Sequence, residues 1–272
     1  MRRLPRALVA LTAAGYLFLH LPVWILVLFS FNASRFGAEW TGFTWGWYRA
    51  ILESPEILRA LRTSLVVAVV STAAATAFGT AAALGLGRRR VRGAAAVEGL
   101  MVLSVVTPEV VAGISLLLWF VALGIPLGLA SIVIAHIAFN IPFVTFVVLA
   151  RLHGLDRTLE EAAMNLGADE ITTFREVTLP LLRPGIVAAA LLAFTLSFDD
   201  FVITFFVAGV GATTLPILVF SMVKTGIAPT VNAISTLFLL LSTLAVFLAD
   251  RALGARVAAG LGRPAAAPAP RP

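Results

Sequence analysis

The sequence predicts an all-α membrane protein that crosses the bilayer six times. Of its 272 residues, 60% are hydrophobic and only 12% are charged, and the mean hydropathy is +1.00. Ordinary soluble domains do not reach these values. A membrane helix needs about 20 mainly apolar residues, because its backbone polar groups must be satisfied within the segment. The segments that meet this requirement are Ala7–Phe31, Thr63–Leu86, Ala94–Leu123, Leu127–Ala150, Gly185–Ala208 and Val231–Ala249.

The basic residues predict how these spans are oriented. With both termini in the cytoplasm, fifteen of the 20 Lys and Arg residues fall in cytoplasmic segments and five fall outside. This is the positive-inside bias of membrane proteins, and it explains the pI of about 11.1 without a nucleic-acid partner. The basic start of the chain could instead belong to a signal peptide. The apolar run that follows exceeds the roughly 7–15 residues of a signal core, so we expect the first span to remain in the mature protein.

The segments outside the spans vary in length and composition. The first outer loop, roughly 32–62, is the longest external segment and is rich in aromatic residues, which indicates either an interfacial belt or a docking surface for an external partner. The third and fourth spans are joined by a few residues around Gly124, which predicts a tight hairpin. We expect one transmembrane domain over residues 1–258 and a disordered Ala/Pro-rich tail over residues 259–272.

The cytoplasmic segment between the fourth and fifth spans predicts a short helix near 156–167. Asp156 is a good N-cap, Glu160 and Glu161 lie near the positive end of the helix dipole, and Gly167 suits the C′ position. One face of this helix is apolar: Leu155, Leu159, Ala162 or Ala163, and Leu166. Because the helix lies outside the membrane, this face must be buried in the protein's own bundle or in the groove of a partner.

The same segment carries a spaced motif. Glu161-Ala162-Ala163 is followed after three residues by Gly167, and after nine more by Val177-Thr178-Leu179-Pro180. This motif resembles the signature of the inner-membrane permeases of binding-protein-dependent ABC importers, in which Ile stands where this chain has Val177. The resemblance implies a type I ABC importer permease fold in the bacterial inner membrane. It also implies that the following residues couple the permease to an ATPase: Glu160, Glu161, Ala162, Ala163, Gly167, Leu179 and Pro180.

The resemblance further implies several partners. A cytoplasmic ABC ATPase dimer would bind ATP and Mg and hydrolyse the ATP, so that this chain needs no cofactor of its own. A second permease subunit would complete the pathway within the lipid, and a periplasmic or extracellular binding protein would deliver the solute. Consistent with this division of labour, the sequence has no phosphate-binding loop of the Gly-x-x-x-x-Gly-Lys-Ser/Thr kind.

Several stretches resemble one branch of this family, the C-type subunit of spermidine/putrescine permeases. They are Phe43–Tyr48, Thr107–Leu118, His136–Phe143, Leu196–Phe201 and Ser221–Ala233. The resemblance implies transport of a small cationic solute of the polyamine type. The branch also includes relatives that carry phosphonates, opines or amino-acid-like solutes, which remain the alternative.

Four ionisable residues within apolar runs are candidates for the substrate pathway: Glu109, His136, Asp199 and Asp200. An ionised carboxylate inside a span costs about 2.5–3.5 kcal/mol on insertion scales, so such residues usually face a cavity. Carboxylates along a pathway would attract an ammonium group. The two aspartates could instead pair with arginines or cap a broken helix, and His136 could be either a hydrogen-bonded interior residue or a proton carrier.

The sequence argues against enzymatic function and against a metal site. There is no cysteine, and the three histidines are scattered. An intramembrane enzyme could be assembled only by combining Ser104, His136 and Glu109, which form no recognisable motif. An ion-driven secondary transporter would also place acidic residues in the membrane, but it leaves the cytoplasmic motif unexplained.

Overall fold

The computed structural model describes residues 6–34, 39–88, 93–225 and 229–261. Within these ranges the ordered elements are helical, with one isolated β-bridge between Asn32 and Phe43, and the predicted all-α class is confirmed. One π-helical turn, Phe174–Thr178, separates α8 from α9. The helices are α1 (Arg6–Phe29), α2 (Gly46–Glu53), α3 (Pro55–Arg88), α4 (Ala94–Val106), α5 (Glu109–Ala122), α6 (Leu129–His153), α7 (Thr158–Asn165), α8 (Glu170–Thr173), α9 (Leu179–Asp199), α10 (Val202–Val207), α11 (Leu215–Thr225) and α12 (Pro229–Leu261).

Within the described residues, four helical segments are long and apolar enough to cross a membrane: Ala7–Phe29, Pro55–Arg88, Leu129–His153 and Glu170–Asp199. The last of these consists of α8, the π-helical turn and α9. A fifth span results if α4 and α5 are counted together. The sixth predicted span lies within α12, where the described apolar stretch Pro229–Leu244 is shorter. Six spans and cytoplasmic termini therefore remain predictions.

Two predicted spans are not continuous helices, which corrects the sequence-based boundaries. The third is bent by 111° between α4 and α5, because Pro108 cannot continue the hydrogen-bond ladder of α4. The fifth ends as a helix at Asp199 and resumes as α10 at Val202. The second span begins earlier than predicted, at Pro55, since proline suits the first position of a helix.

The described residues within 6–62 and 213–242 form one structural unit. Its core includes Ile51 from α2, Ile57 from α3, Leu218 from α11 and Ile234 from α12. The helices α2 and α11 were not predicted. The first outer loop is held by the buried Asn32, whose Oδ1 accepts from the Thr41 amide at 3.0 Å and whose side-chain amide donates to the Glu39 carbonyl at 2.7 Å.

The described residues within 63–212 and 243–261 form the second unit. Within it, α6 packs against α4, α9 and α10, and α5 packs against α10. Small residues permit close helix contacts, as is usual in membranes. A Cβ at Gly79 would lie 2.6 Å from the Val144 side chain, and one at Gly113 would lie 2.7 Å from the Phe206 ring.

The predicted hairpin between the third and fourth spans is confirmed: α5 ends at Ala122, and α6 begins at Leu129. Of the predicted disordered tail, residues 259–261 belong to the end of α12, whereas residues 262–272 lie outside the described residues.

Candidate functional site

The helix predicted near 156–167 is α7, Thr158–Asn165. The Asp156 carboxylate accepts a hydrogen bond from the Thr158 amide at 3.0 Å, so it stabilises the start of the helix from one residue before the N-cap position. This hydrogen bond to the Thr158 backbone, followed by one to its side chain, holds the pKa of Asp156 below its usual value. The predicted helix is therefore confirmed, with its start shifted by about one residue.

The end of α7 is closed by Gly167, as the sequence predicts. Its φ of +94° lies in the left-handed region, which favours glycine. The Gly167 amide donates to the Met164 carbonyl at 3.0 Å, and the Ala168 amide donates to the Ala163 carbonyl at 3.1 Å. These two bonds define a Schellman motif, which satisfies carbonyls at the helix end and turns the chain sharply.

The surface of α7 and of the turn after it is apolar and exposed. Leu166 is 90% exposed, and Leu159, Met164 and Ile171 are also exposed. Ala162 is exposed and Ala163 is half-buried, so this part of the surface is smooth, and Glu161 lies in the open as well. Of the apolar face that the sequence predicts, Leu155 packs against the core of the chain, whereas Leu159, Ala162 and Leu166 stay exposed. We refer to Leu159, Glu161, Ala162, Met164 and Leu166 as the α7 surface.

Glu160, next to Glu161, faces the interior instead. Its carboxylate contacts the Arg88 guanidinium at the end of α3 and accepts a hydrogen bond of 2.6 Å from the Thr178 hydroxyl. Leu179 and Pro180, the last residues of the motif, are half-buried at the start of α9. The motif therefore combines residues on the α7 surface with residues that hold α7 to the membrane helices.

A second polar site lies at the break between α9 and α10. The Asp200 side chain is only 6% exposed. Its carboxylate accepts hydrogen bonds from the Thr204 amide at 2.8 Å, the Thr204 hydroxyl at 2.7 Å and the Ile203 amide at 3.2 Å. Asp200 thus satisfies the free amides at the start of α10. This is the broken-helix alternative of the sequence analysis.

His136 connects the break between α9 and α10 to its own helix, α6, and, through Ser197, to α3. Its Nε2 lies 3.2 Å from Asp200 Oδ2 and 2.9 Å from the Thr204 hydroxyl, and its Nδ1 lies 2.6 Å from the Ser197 hydroxyl. Ser197 in turn shares a 2.9 Å hydrogen bond with Ser71 of α3. His136 is 1% exposed, so it is a hydrogen-bonded interior residue that links α3, α6, α9 and α10.

The other two pathway candidates lie in the open. Asp199, at the last position of α9, is exposed, and no basic side chain among the described residues pairs with it. Glu109 is exposed at the first position of α5, directly after the bend at Pro108, and likewise has no ion pair within the described ranges. The structure therefore brings His136 and Asp200 into contact, whereas Asp199 and Glu109 have no such partner in the part of the chain that the structure describes.

Sequence reasoning missed Ser71, Ser197 and Thr204 at the break, and Arg88 and Thr178 beside α7, as interacting residues. Ser197 lies within the stretch Leu196–Phe201, and Thr178 lies within Val177-Thr178-Leu179-Pro180. Nothing in the sequence, however, identifies their partners on other helices. Among the described residues, no group of three or more His, Cys, Asp or Glu side chains could hold a metal ion.

Comparisons with known proteins agree on one family. The profile described as "Binding-protein-dependent transport system inner membrane component" matches residues 75–259. The spermidine/putrescine transport system permease protein PotC of Escherichia coli K12 is 44% identical over 86% of this chain and 88% of its own length. The putrescine transport system permease protein PotI of the same organism is 43% identical over 83% of each chain. A bacterial ABC transporter that imports the acidic polysaccharide alginate has a similar fold, with a TM-score of 0.72 at 15% identity, covering 91% of this chain and 93% of its own.

Proposed function

Because the chain belongs to the family of inner-membrane components of binding-protein-dependent transport systems, we propose that it forms half of the pathway of an ATP-driven polyamine importer. Its relatives are transport permeases, and this chain is an inner-membrane permease subunit of the same kind. The solute, the ATPase and the remaining partners are the proposed part.

The observation that carries the coupling role is the α7 surface. An apolar surface of this kind on a short cytoplasmic helix needs a cover, since exposed apolar patches mark interaction sites. The cover is the ATP-hydrolysing subunit, which binds the ATP and Mg, and Glu161 is placed to pair with a basic residue on it. A dimer of that subunit contacts one α7 from this chain and one equivalent helix from a second permease.

The proposed solute is spermidine or putrescine, which the names of the close relatives support. Both are polycations, and Asp199 offers a carboxylate without a cationic partner among the described residues. An ionised carboxylate within an apolar run is tolerated where water or a cation reaches it. Asp199 therefore contacts the solute, whereas Asp200 and His136 hold the helix break that positions it.

In the proposed cycle, an external binding protein delivers the solute to the outer face. Closure of the ATP-bound ATPase subunits draws the two coupling helices together and opens the pathway outward, and hydrolysis resets it. Both termini of this chain lie in the cytoplasm, in agreement with the distribution of basic residues.

Co-purification from the native membrane tests this function. The associated chains are identified, and ATP hydrolysis is measured with and without spermidine or putrescine and the binding protein. We expect an ATPase, a second permease and hydrolysis stimulated by a polyamine. If only a phosphonate, opine or amino acid stimulated ATP hydrolysis, the proposed polyamine solute would be wrong. Isolation of the chain without an ATPase, with uptake that follows an ion gradient, would overturn the ATP-driven mechanism.

A further inference from the structure

Three side chains meet where α7 joins the membrane helices: Arg88 at the end of α3, Glu160 in the first turn of α7 and Thr178 at the end of the π-helical turn. The Arg88 guanidinium contacts Glu160 and donates to the Thr178 hydroxyl at 3.1 Å, and that hydroxyl donates to Glu160 at 2.6 Å. Each side chain thus contacts the other two. Arg88 is 90 residues from Thr178 along the chain, whereas Glu160 and Thr178 are 18 residues apart, at the two ends of one loop.

The burial of this triangle distinguishes it from an ordinary surface ion pair. Thr178 is fully buried, and the Glu160 and Arg88 side chains are 16% and 29% exposed. By contrast, the Arg49–Glu53 pair on α2 is 82% and 70% exposed. Exposed pairs contribute little, whereas partly buried, charge-assisted hydrogen bonds are strong, and removing one partner leaves the other charge poorly compensated.

Two further bonds fix the same junction. The Arg157 guanidinium, just before α7, donates to the Gly87 carbonyl in α3 at 3.1 Å. The Arg151 Nε at the end of α6 donates to the Leu181 carbonyl in α9 at 3.2 Å. The first of these bonds attaches the start of α7 to α3, and the second attaches α6 to α9. The contact of α7 with α9 is made by Thr178, the N-cap residue of α9, through its bond to Glu160. A movement of α7 away from α3 or from the start of α9 therefore breaks these bonds.

The π-helical turn that presents Thr178 is itself unusual. Pro180 has no amide hydrogen, so it cannot donate the α-helical hydrogen bond to the Glu176 carbonyl. The π-helical turn ends at Thr178, just before the α9 segment that contains Pro180. Such turns occur mainly as single insertions in helices, often at functional sites. Thr178 therefore comes from a part of the helix with a geometry different from that of α9.

We infer that Arg88, Glu160 and Thr178 form a coupling clamp, which transmits movements of α7 to α3 and α9. This inference rests on the proposed function, in which the α7 surface docks on an ATPase. The three are positioning residues that contact neither solute nor nucleotide. Glu160 and Glu161 thus divide the work: Glu161 faces the partner, and Glu160 passes its movement to the pathway.

The test uses the purified importer, with its ATPase, second permease and binding protein, in lipid nanodiscs and proteoliposomes. In Glu160→Gln we expect unchanged co-purification of the ATPase and unchanged basal hydrolysis. The spermidine transported per ATP should fall by about 2- to 30-fold, the range of coupling effects of single residues. Thr178→Val should lower the same ratio. The double variant Arg88→Glu with Glu160→Arg should transport more spermidine per ATP than Arg88→Glu alone or Glu160→Arg alone. Glu53→Gln, which removes the exposed ion pair, is the matched control and should leave the ratio unchanged.

A purely structural role would lower the yield of the complex without changing the transport ratio. An unchanged ratio in both Glu160→Gln and Thr178→Val would therefore overturn the clamp, as would loss of ATPase binding in Glu160→Gln, which would make Glu160 a docking residue. Amide hydrogen exchange of the membrane chain alone separates this result from failure of the proposed function. If no ATPase binds the wild-type chain, the proposed function fails, but the clamp still predicts faster exchange of the α7 amides in Glu160→Gln, and unchanged exchange would contradict it.

Discussion

The loop that contains α7 and the break between α9 and α10 each carry two adjacent carboxylates, and in each pair one side chain faces inward and the other outward. In the loop, Glu160 contacts Arg88 and Thr178, while Glu161 is exposed. At the break, Asp200 contacts His136 and caps α10, while Asp199 is exposed. The inward member of each pair is satisfied by this chain, so it serves the structure. The outward member is available to bind a partner protein or a solute.

The surroundings of the two outward carboxylates differ, and so does what can be inferred from them. Glu161 lies on a loop outside the apolar runs, where an exposed carboxylate is normal and its role depends on a partner. Asp199 lies within an apolar run, where an ionised carboxylate is costly unless water or a cation reaches it. Exposure is therefore weak evidence of function for Glu161 and stronger evidence for Asp199.

The largest expected effect separates the two aspartates at the break. Asp200→Ala removes the cap of α10, leaves the Thr204 hydroxyl without its acceptor and removes the carboxylate next to His136 Nε2, at a cost of about 3 kcal/mol. We expect the melting temperature of the purified chain to fall by roughly 6–12 °C. Asp199→Ala, the matched control, should melt near the wild type. Equal melting temperatures for the two variants would show that Asp200 does not hold the break.

The next prediction concerns transport. Asp199→Asn keeps the size of the side chain but removes its charge, so it should lower uptake of spermidine about tenfold, the effect of losing roughly 1.4 kcal/mol of interaction with a charged group. Uptake is measured in proteoliposomes with equal amounts of assembled complex, and basal ATP hydrolysis should not change. Glu53→Gln removes an exposed carboxylate that is far from Asp199 along the sequence, and it serves as the control.

Normal uptake by Asp199→Asn would remove this residue from the proposed solute contact, leaving Glu109 as the exposed acidic candidate. A loss of uptake that is accompanied by a lower melting temperature would instead assign Asp199 a structural role like that of Asp200. The two measurements together thus decide whether the inward and outward aspartates differ in function.

The two regions also differ in how far the sequence predicts them. The helix α7 follows from local signals, since Asp156 and Gly167 mark its ends within about one residue. The breaks in the third and fifth spans do not, because hydropathy averages over them, although Pro108 marks the first. Ser197, a partner of His136, lies 61 residues away along the chain, and Arg88, a partner of Glu160, lies about 70 residues away. Tertiary packing alone selects them.

A smaller effect is expected at the end of α7. Gly167→Ala places a side chain at a φ of +94°, which costs about 1–2 kcal/mol although no atom lies within 4 Å of the new Cβ. We expect faster hydrogen exchange of the Gly167 and Ala168 amides and weaker association with the ATPase. Gly154→Ala is the control, because Gly154 has a φ of −83° and its added Cβ would make only ordinary contacts. Identical exchange in both variants would contradict the role of the Schellman motif.

The smallest effect is a dependence on acid pH that is confined to the loop. Hydrogen bonds from Thr158 and Thr172 hold the pKa values of Asp156 and Asp169 below their usual 3.8. A carboxyl whose pKa is lower in the folded state stabilises that state above its unfolded pKa, and this contribution is lost as the pH falls through the folded pKa. After correction for intrinsic rates, the amides of α7 and α8 should therefore lose protection below the usual pKa of 3.8. Asp156→Asn with Asp169→Asn keeps an acceptor at both positions but removes the titration, so this double variant should lose the pH dependence. If the variant retained it, other groups would have to control the stability of the loop.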